Sequence, residues 1–212
     1  MLPTKLLSSL LILCVLFVFK SNGQDTFSIV AVDTETGEVG SAGATCLDTV
    51  VEGVSAIIIS DIIPGVGAIH TQSFWDPANQ ANARAYLEMG LSAQAVMDSV
   101  VANDVAGTPL IRQYGIAIIN SAGDAERAAY TGANCFDWKG QFLGGDFAVQ
   151  GNILLNEDII DSMATRFFFE EGDLADKLMA AMQGANVPGA DSRCLSPQNT
   201  SSRSAFIRVA RP

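Results

Sequence analysis

A chain of 212 residues with 49% hydrophobic and 17% charged side chains can bury one sizeable core, which excludes global disorder and leaves little room for two domains. Twelve basic against 23 acidic residues give a net charge of -11, so nucleic acid and anionic membrane surfaces are excluded as natural partners. With a single histidine, His70, neither a zinc site of the usual Cys/His type nor a serine triad is easily assembled.

The chain opens with Lys5, an apolar stretch of 14 residues from Leu6 to Phe19, and the small residues Ser21-Asn22-Gly23. This reads as a cleaved signal peptide over residues 1–23 and implies a secreted or periplasmic protein, since a membrane anchor needs roughly 20 apolar residues. Bulky Leu11-Ile12-Leu13 before Cys14 do not suit a lipoprotein signal. Residues 24–212 are expected to form one domain with its core over 26–209. Cleavage after Gly23 leaves Cys46, Cys135 and Cys194 in an oxidising compartment, and three pairings of one disulfide with one spare thiol are open.

Thr26 to Asp33 alternates with β-branched and aromatic residues, turns at Thr34-Glu35-Thr36-Gly37-Glu38 and resumes from Val39 to Cys46, a hairpin pattern. The second strand is built of small residues, as a strand needs where backbone or ligand approaches closely. Apolar Ala56 to Ser60 and, after Pro64-Gly65, Val66 to Gln72 predict two more strands. The period then changes. Asp76 with Pro77 starts a helix closed by Gly90, and Ser92 caps a second that reaches Asn103. Strands return at Tyr114–Ile119, Ala128–Thr131 and Phe147–Asn152. Asn156 is read as the cap of a helix with Ile159, Ile160, Met163 and Phe167 on one face. Asp173, with Asp176 placed for a capping box, starts another carrying Leu174, Leu178 and Met182. Ser204 to Val209 closes the chain as a strand. This order predicts an α+β fold, two antiparallel sheets between two helix layers.

There is no dinucleotide fingerprint, phosphate loop, HExxH or Gly-x-Ser-x-Gly, so chemistry without a cofactor or metal is expected. His70 ends an apolar strand and reads as a satisfied structural histidine. An N-terminal amine is the remaining base: with an ordinary pKa near 8 it can take the proton of its own residue's hydroxyl. Thr26, at the start of the first strand, is placed for that role if processing reaches it, although a threonine there is also simply a good strand former.

Thr26-Phe27-Ser28-Ile29-Val30-Ala31, Thr36-Gly37-Glu38, Gly65-Val66-Gly67-Ala68 with Thr71-Gln72, Arg112-Gln113-Tyr114-Gly115, Tyr130-Thr131-Gly132 with Cys135 and Trp138, and Val149-Gln150-Gly151-Asn152-Ile153-Leu154 occur in order. In these motifs the chain resembles the bacterial family called domain of unknown function 1028, from Thr26 to nearly Val209. The resemblance implies the N-terminal-nucleophile (Ntn) hydrolase fold, a four-layer αββα sandwich, and an amide- or peptide-hydrolysing activity on a small substrate with Thr26 as nucleophile. The alternative is a catalytically silent secreted protein that binds a ligand in the same cleft. Gln150 and Asn152 are then candidate oxyanion donors, and Thr71 and Gln72 candidates for contact with substrate or the α-amine. Asp191 and Arg193 match a family motif as an ion pair near the site. Cys46 and Cys194 are the implied disulfide with Cys135 free, and a homodimer through the helix layers is allowed. Cleavage after Gly23 would leave Gln24-Asp25 ahead of Thr26. Exposure of the nucleophile then needs self-cleavage at the Asp25–Thr26 bond or an aminopeptidase, and cyclisation of Gln24 would block it.

Overall fold

The structure, a computed structural model, describes residues 26–48, 50 and 53–212. The expected leader and Gln24-Asp25 lie outside the described residues. Nine strands and four helices follow in the order β1 (Thr26–Val32), β2 (Val39–Thr45), β3 (Ser60–Ile63), β4 (Gly67–Gln72), α1 (Pro77–Glu88), α2 (Ala93–Ala102), β5 (Gln113–Ile119), β6 (Ala125–Thr131), β7 (Gly140–Leu143), β8 (Phe147–Gly151), α3 (Asp158–Phe169), α4 (Leu174–Gly184) and β9 (Ser204–Ala210). They form two antiparallel sheets, one ordered β7-β8-β1-β2-β9 and the other β3-β4-β5-β6. The α+β class and the two antiparallel sheets are as expected.

Every residue of β1 and β2 is buried, because both faces of these central strands are covered. Alternation sorts the side chains. Phe27, Ile29 and Ala31 of β1, with Ala42 and Ala44 of β2 and Phe147 and Val149 of β8, pack against Ile160, Met163 and Phe167 of α3 and Leu174 and Leu178 of α4. Gly40 permits this approach, since a Cβ there would stand 2.7 Å from Leu178 Cδ1. Val30, Val32, Val39 and Ala148 turn the other way and meet Ala68, Ala117 and Ile62 of the second sheet. The outer face of that sheet, with Ile69, Tyr114, Ile116 and Ala128, packs on Leu87 of α1 and Val96 and Val100 of α2.

The helix starts follow the expected chemistry at three of four places. Asp76 accepts from Ala78 N and Asn79 N, Ser92 from Ala95 N, and Asp173 and Asp176 form the reciprocal capping box. At α3 the expectation fails: Glu157 is the N-cap with no side-chain cap bond, and Asn156 instead donates to the Asp158 carboxylate at 3.1 Å. A second difference lies at Ala56–Ile59, which coils into a 3-10 turn with the strand only beginning at Ser60. Ala56 and Ile59 are buried while Ile57 is 45% exposed, so the apolar run follows a helical rather than an alternating spacing. Short β7 inside the glycine-rich passage has no counterpart in the sequence reading. Among the described residues no helix is long and apolar enough to cross a membrane. The Cys46–Cys194 disulfide is compatible with an extracytoplasmic location.

A candidate active site at the polar end of the inter-sheet layer

Side chains between the two sheets change from apolar at one end to polar at the other. Register places Thr45 of β2 beside Thr26, Gly43 beside Ser28 and, on the other side of β1, Gln150 beside Ser28. Asn152 continues the β8 ladder past its end by donating its backbone N–H to the Thr26 carbonyl at 3.1 Å. The opposing sheet contributes His70 and Gln72 of β4 and Gln113 of β5, all fully buried. Gly115 of β5 leaves the space that Gln150 fills, since a Cβ at 115 would lie 2.0 Å from Gln150 Oε1.

These amides form one hydrogen-bond chain whose direction is forced. Gln113 Nε2 meets the carbonyls of Gly151 at 2.8 Å and Gly140 at 3.2 Å, which can only accept. Its third neighbour, Thr131 Oγ1 at 2.9 Å, also accepts, because that hydroxyl donates to Gln141 Oε1 and Gln141 Nε2 is tied to the Ala129 carbonyl. Gln113 Oε1 is therefore an acceptor, and receives Gln72 Nε2 at 2.8 Å and Asn152 Nδ2 at 2.9 Å. Gln72 Nε2 also donates to the Thr26 carbonyl at 3.3 Å, and its Oε1 accepts from Ser28 Oγ at 2.6 Å. Ser28 Oγ in turn accepts from Gln150 Nε2 at 2.6 Å, whose second N–H reaches His70 Nδ1 at 3.3 Å. His70 thus carries its proton on Nε2.

Four buried atoms of this layer have no hydrogen-bond partner among the described residues: Thr26 Oγ1, Asn152 Oδ1, Gln150 Oε1 and His70 Nε2. An orphaned buried polar group costs roughly 1–3 kcal/mol, so four in one layer mark a place built for something other than stability. The satisfied structural histidine expected at position 70 is only half satisfied, although its ring also packs edge-on against Phe206 at 5.8 Å between centroids. Burial, with the charge of Arg208 adding to it, lowers its pKa to about 3. The folded pKa lies below the unfolded value, so stability is complete above about 6.5 and falls as pH drops toward 3, at about 1.4 kcal/mol per pH unit inside that window. Between pH 7 and pH 5 a His70→Gln variant should lose about 2 kcal/mol less stability than the unmutated chain, as read from urea midpoints. Equal losses would show that His70 takes up its proton as readily in the folded protein as in the unfolded chain.

Of the residues expected at the site, Thr26, Gln72, Gln150 and Asn152 come together. Thr71 does not join them: it points to the helix-covered face with Ile69 and its register partner Tyr114, where its hydroxyl is buried without a partner. Asp191 and Arg193 form an ion pair at the end of β2. Arg193 Nε lies 2.9 Å from Asp191 Oδ1 and Nη2 2.6 Å from Oδ2, while Cys46 N donates to the same carboxylate at 2.7 Å. Asp191 is fully buried, so this is not a surface pair. Arg193 Nη2 also reaches Thr45 Oγ1 at 3.1 Å, which brings the guanidinium to the register partner of Thr26. The Cys46–Cys194 bond staples the turn that carries both residues, and Cys135 is buried outside any disulfide.

Sequence reasoning missed Ser28, Gln113 and Thr45. The available signal was alternation: each is polar at an inward position of a strand that is otherwise apolar or small. Two grooves, about 430 Å³ beside Phe27 and Met182 and about 670 Å³ beside Phe147 and Phe168, lie on the helix-covered side of the five-stranded sheet, and neither is lined by Thr26. The directed amide chain, with its four orphaned atoms, identifies the candidate site better than either groove. Among the described residues no three His, Cys, Asp or Glu side chains are grouped to hold a metal.

The model of a family of unknown function, DUF1028, matches residues 26–212. The chain belongs to this family. The DUF1028 match begins at Thr26 and takes in every strand and helix described above. A solved structure bearing the same family label, protein SPO2555 from Silicibacter pomeroyi, superposes with a TM-score of 0.70 at 22% identity, over 89% of this chain and 76% of that one. At that identity the likeness speaks for the fold alone. None of the curated proteins compared matches the chain.

Proposed function

We propose that this DUF1028 protein is an exported hydrolase of the Ntn type, a four-layer αββα sandwich that cleaves an amide or peptide bond of a small substrate with Thr26 as nucleophile. The observation that carries the reading is the unpartnered, fully buried Thr26 hydroxyl at the first residue of a central strand, beside a fixed array of amides. Once Thr26 is the first residue, its α-amine takes the hydroxyl proton as Oγ1 bonds to the substrate carbonyl carbon. The C–N bond then breaks and the leaving amine takes that proton. Water, giving its proton to the same amine, cleaves the resulting ester and restores Thr26.

The two candidate donors for the developing oxyanion, Gln150 and Asn152, are not equally available. Both N–H groups of Gln150 are committed, to Ser28 and His70, whereas Asn152 uses one of its two on Gln113. Asn152 is therefore the better candidate of the two. A well-placed donor of this kind contributes about 3 kcal/mol to the transition state. The partner is a small amide or peptide. Self-cleavage at Asp25–Thr26 or trimming by an aminopeptidase supplies the free amine.

The mature N-terminus tests the reading. Intact mass and N-terminal sequencing of the exported protein are expected to show a chain starting at Thr26; pyroglutamate at Gln24 in the whole population would sink it.

A further inference from the structure

Asn152 and Thr26 are neighbours in the inter-sheet layer, joined by the 3.1 Å bond from Asn152 N to the Thr26 carbonyl. Each nevertheless has an orphaned buried atom, the Thr26 hydroxyl and Asn152 Oδ1. Rotating the Asn152 amide would not repair this, because its Nδ2 is needed by Gln113 Oε1, and Gln113 is itself locked by the carbonyls of Gly140 and Gly151. The carbonyl anchors therefore fix which amide atom of Asn152 is left as an open acceptor, on the residue whose backbone N–H bonds the Thr26 carbonyl, at a cost to stability. What such an acceptor lacks is an N–H donor.

We infer that Asn152 Oδ1 is the seat of the Thr26 α-amine, and that Gln113 is the positioning residue that keeps this oxygen turned toward it. The inference rests on the reading of Thr26 as a processed N-terminal residue, and it gives that reading a base of fixed orientation. Gln72 completes the cradle: its Nε2 bridges Gln113 Oε1 and the Thr26 carbonyl, so the backbone of residue 26 is gripped by Gln72 and Asn152 together. With the carbonyl held, the amine of Thr26 can turn only about the Cα–C bond, and the hydroxyl about that bond and its own side-chain torsion. The charged and titratable groups facing this end of the layer are Arg193 and Asp191, through Thr45, and His70, through Gln150, with Arg208 beyond it; β5 and β8 contribute amides.

A chain beginning at Thr26 keeps every strand and helix and all three apolar clusters found among the described residues. In that chain the pKa of the α-amine is measured by competitive acetylation across pH with mass-spectrometric readout. Asn152→Asp is nearly isosteric and places a carboxylate at the amine, which should raise its pKa by about one unit or more. Asn152→Leu and Gln113→Leu should both lower it, the second although Gln113 is not itself the seat. A purely structural role for these amides would shift melting temperature and leave the amine pKa alone. In the unmutated chain, the Asn152 side-chain amide resonances should titrate with the α-amine, a readout that does not depend on any variant folding. An amine pKa unmoved by Asn152→Asp, or amide resonances that do not titrate, would overturn the inference. Turnover plays no part in either measurement, so an amine seated as described in a protein that hydrolyses nothing would defeat the hydrolase reading and leave this one standing.

Discussion

Removing the Cys46–Cys194 disulfide, as the double variant to Ala, is expected to lower the stability of this protein by about 3–5 kcal/mol. The bond spans 148 residues of sequence, and for a closed loop of that length the chain-entropy model gives about 5 kcal/mol, toward the upper end of what native disulfides deliver. At 2–4 °C per kcal/mol for a domain of this size, a melting temperature lower by roughly 10 °C should follow in calorimetry. A drop under about 2 °C would mean that the unfolded chain gains almost nothing from the missing constraint. The local effect matters as much. Cys194 ends the turn that carries Asp191 and Arg193, and Cys46 N holds the Asp191 carboxylate, so the staple also fixes a guanidinium next to the register partner of Thr26. Removing the staple should therefore reduce any Thr26-dependent activity more than the lost stability alone accounts for.

How far the sequence foretold this arrangement depends on how local each feature is. The β1–β2 hairpin and the caps at Asp76, Ser92 and Asp173 were legible because their chemistry is complete within a few residues. Asn156 misled because its side chain had a nearer partner, the Asp158 carboxylate, than the helix N–H groups it was expected to cap. Ala56–Ile59 misled because a short apolar run fits a strand and a helical turn equally, and burial of residues three apart decided for the turn. Edge strand β7 has four residues and exists by pairing with β8, a contact that no local pattern encodes. The division of nine strands between two sheets is non-local in the same sense.

The site follows the same rule. Motif resemblance pointed to Thr26, Gln72, Gln150 and Asn152, and all four share the polar end of the layer. Thr71 was grouped with Gln72 by adjacency, but successive strand residues face opposite ways. Gln113 stood inside a quoted motif and was passed over, since its importance lies in two glycine carbonyls far away in sequence. The direction of the amide chain, and hence the tautomer of His70, required those partners too.

Thr26→Ala carries the largest expected effect. The substitution removes one oxygen that has no hydrogen-bond partner among the described residues, so folding should be unaffected or slightly favoured, because a buried orphan hydroxyl disappears. Turnover should nevertheless fall by at least about 10³-fold, as when the nucleophile of other covalent hydrolases is deleted, because neither the amine nor the amides can form the acyl bond in its place. Thr26→Ser keeps the hydroxyl and should retain part of the activity, with a looser rotamer for lack of the β-methyl group. The decisive measurement compares the chain beginning at Thr26 with its Thr26→Ala counterpart on a panel of aminoacyl 4-nitroanilides and dipeptides. The expected result is hydrolysis of at least one compound by the first and none above background by the second, at unchanged melting temperature; equal turnover by the two chains, or hydrolysis of nothing by a folded chain with a free Thr26 amine, would contradict the assignment of Thr26 as nucleophile.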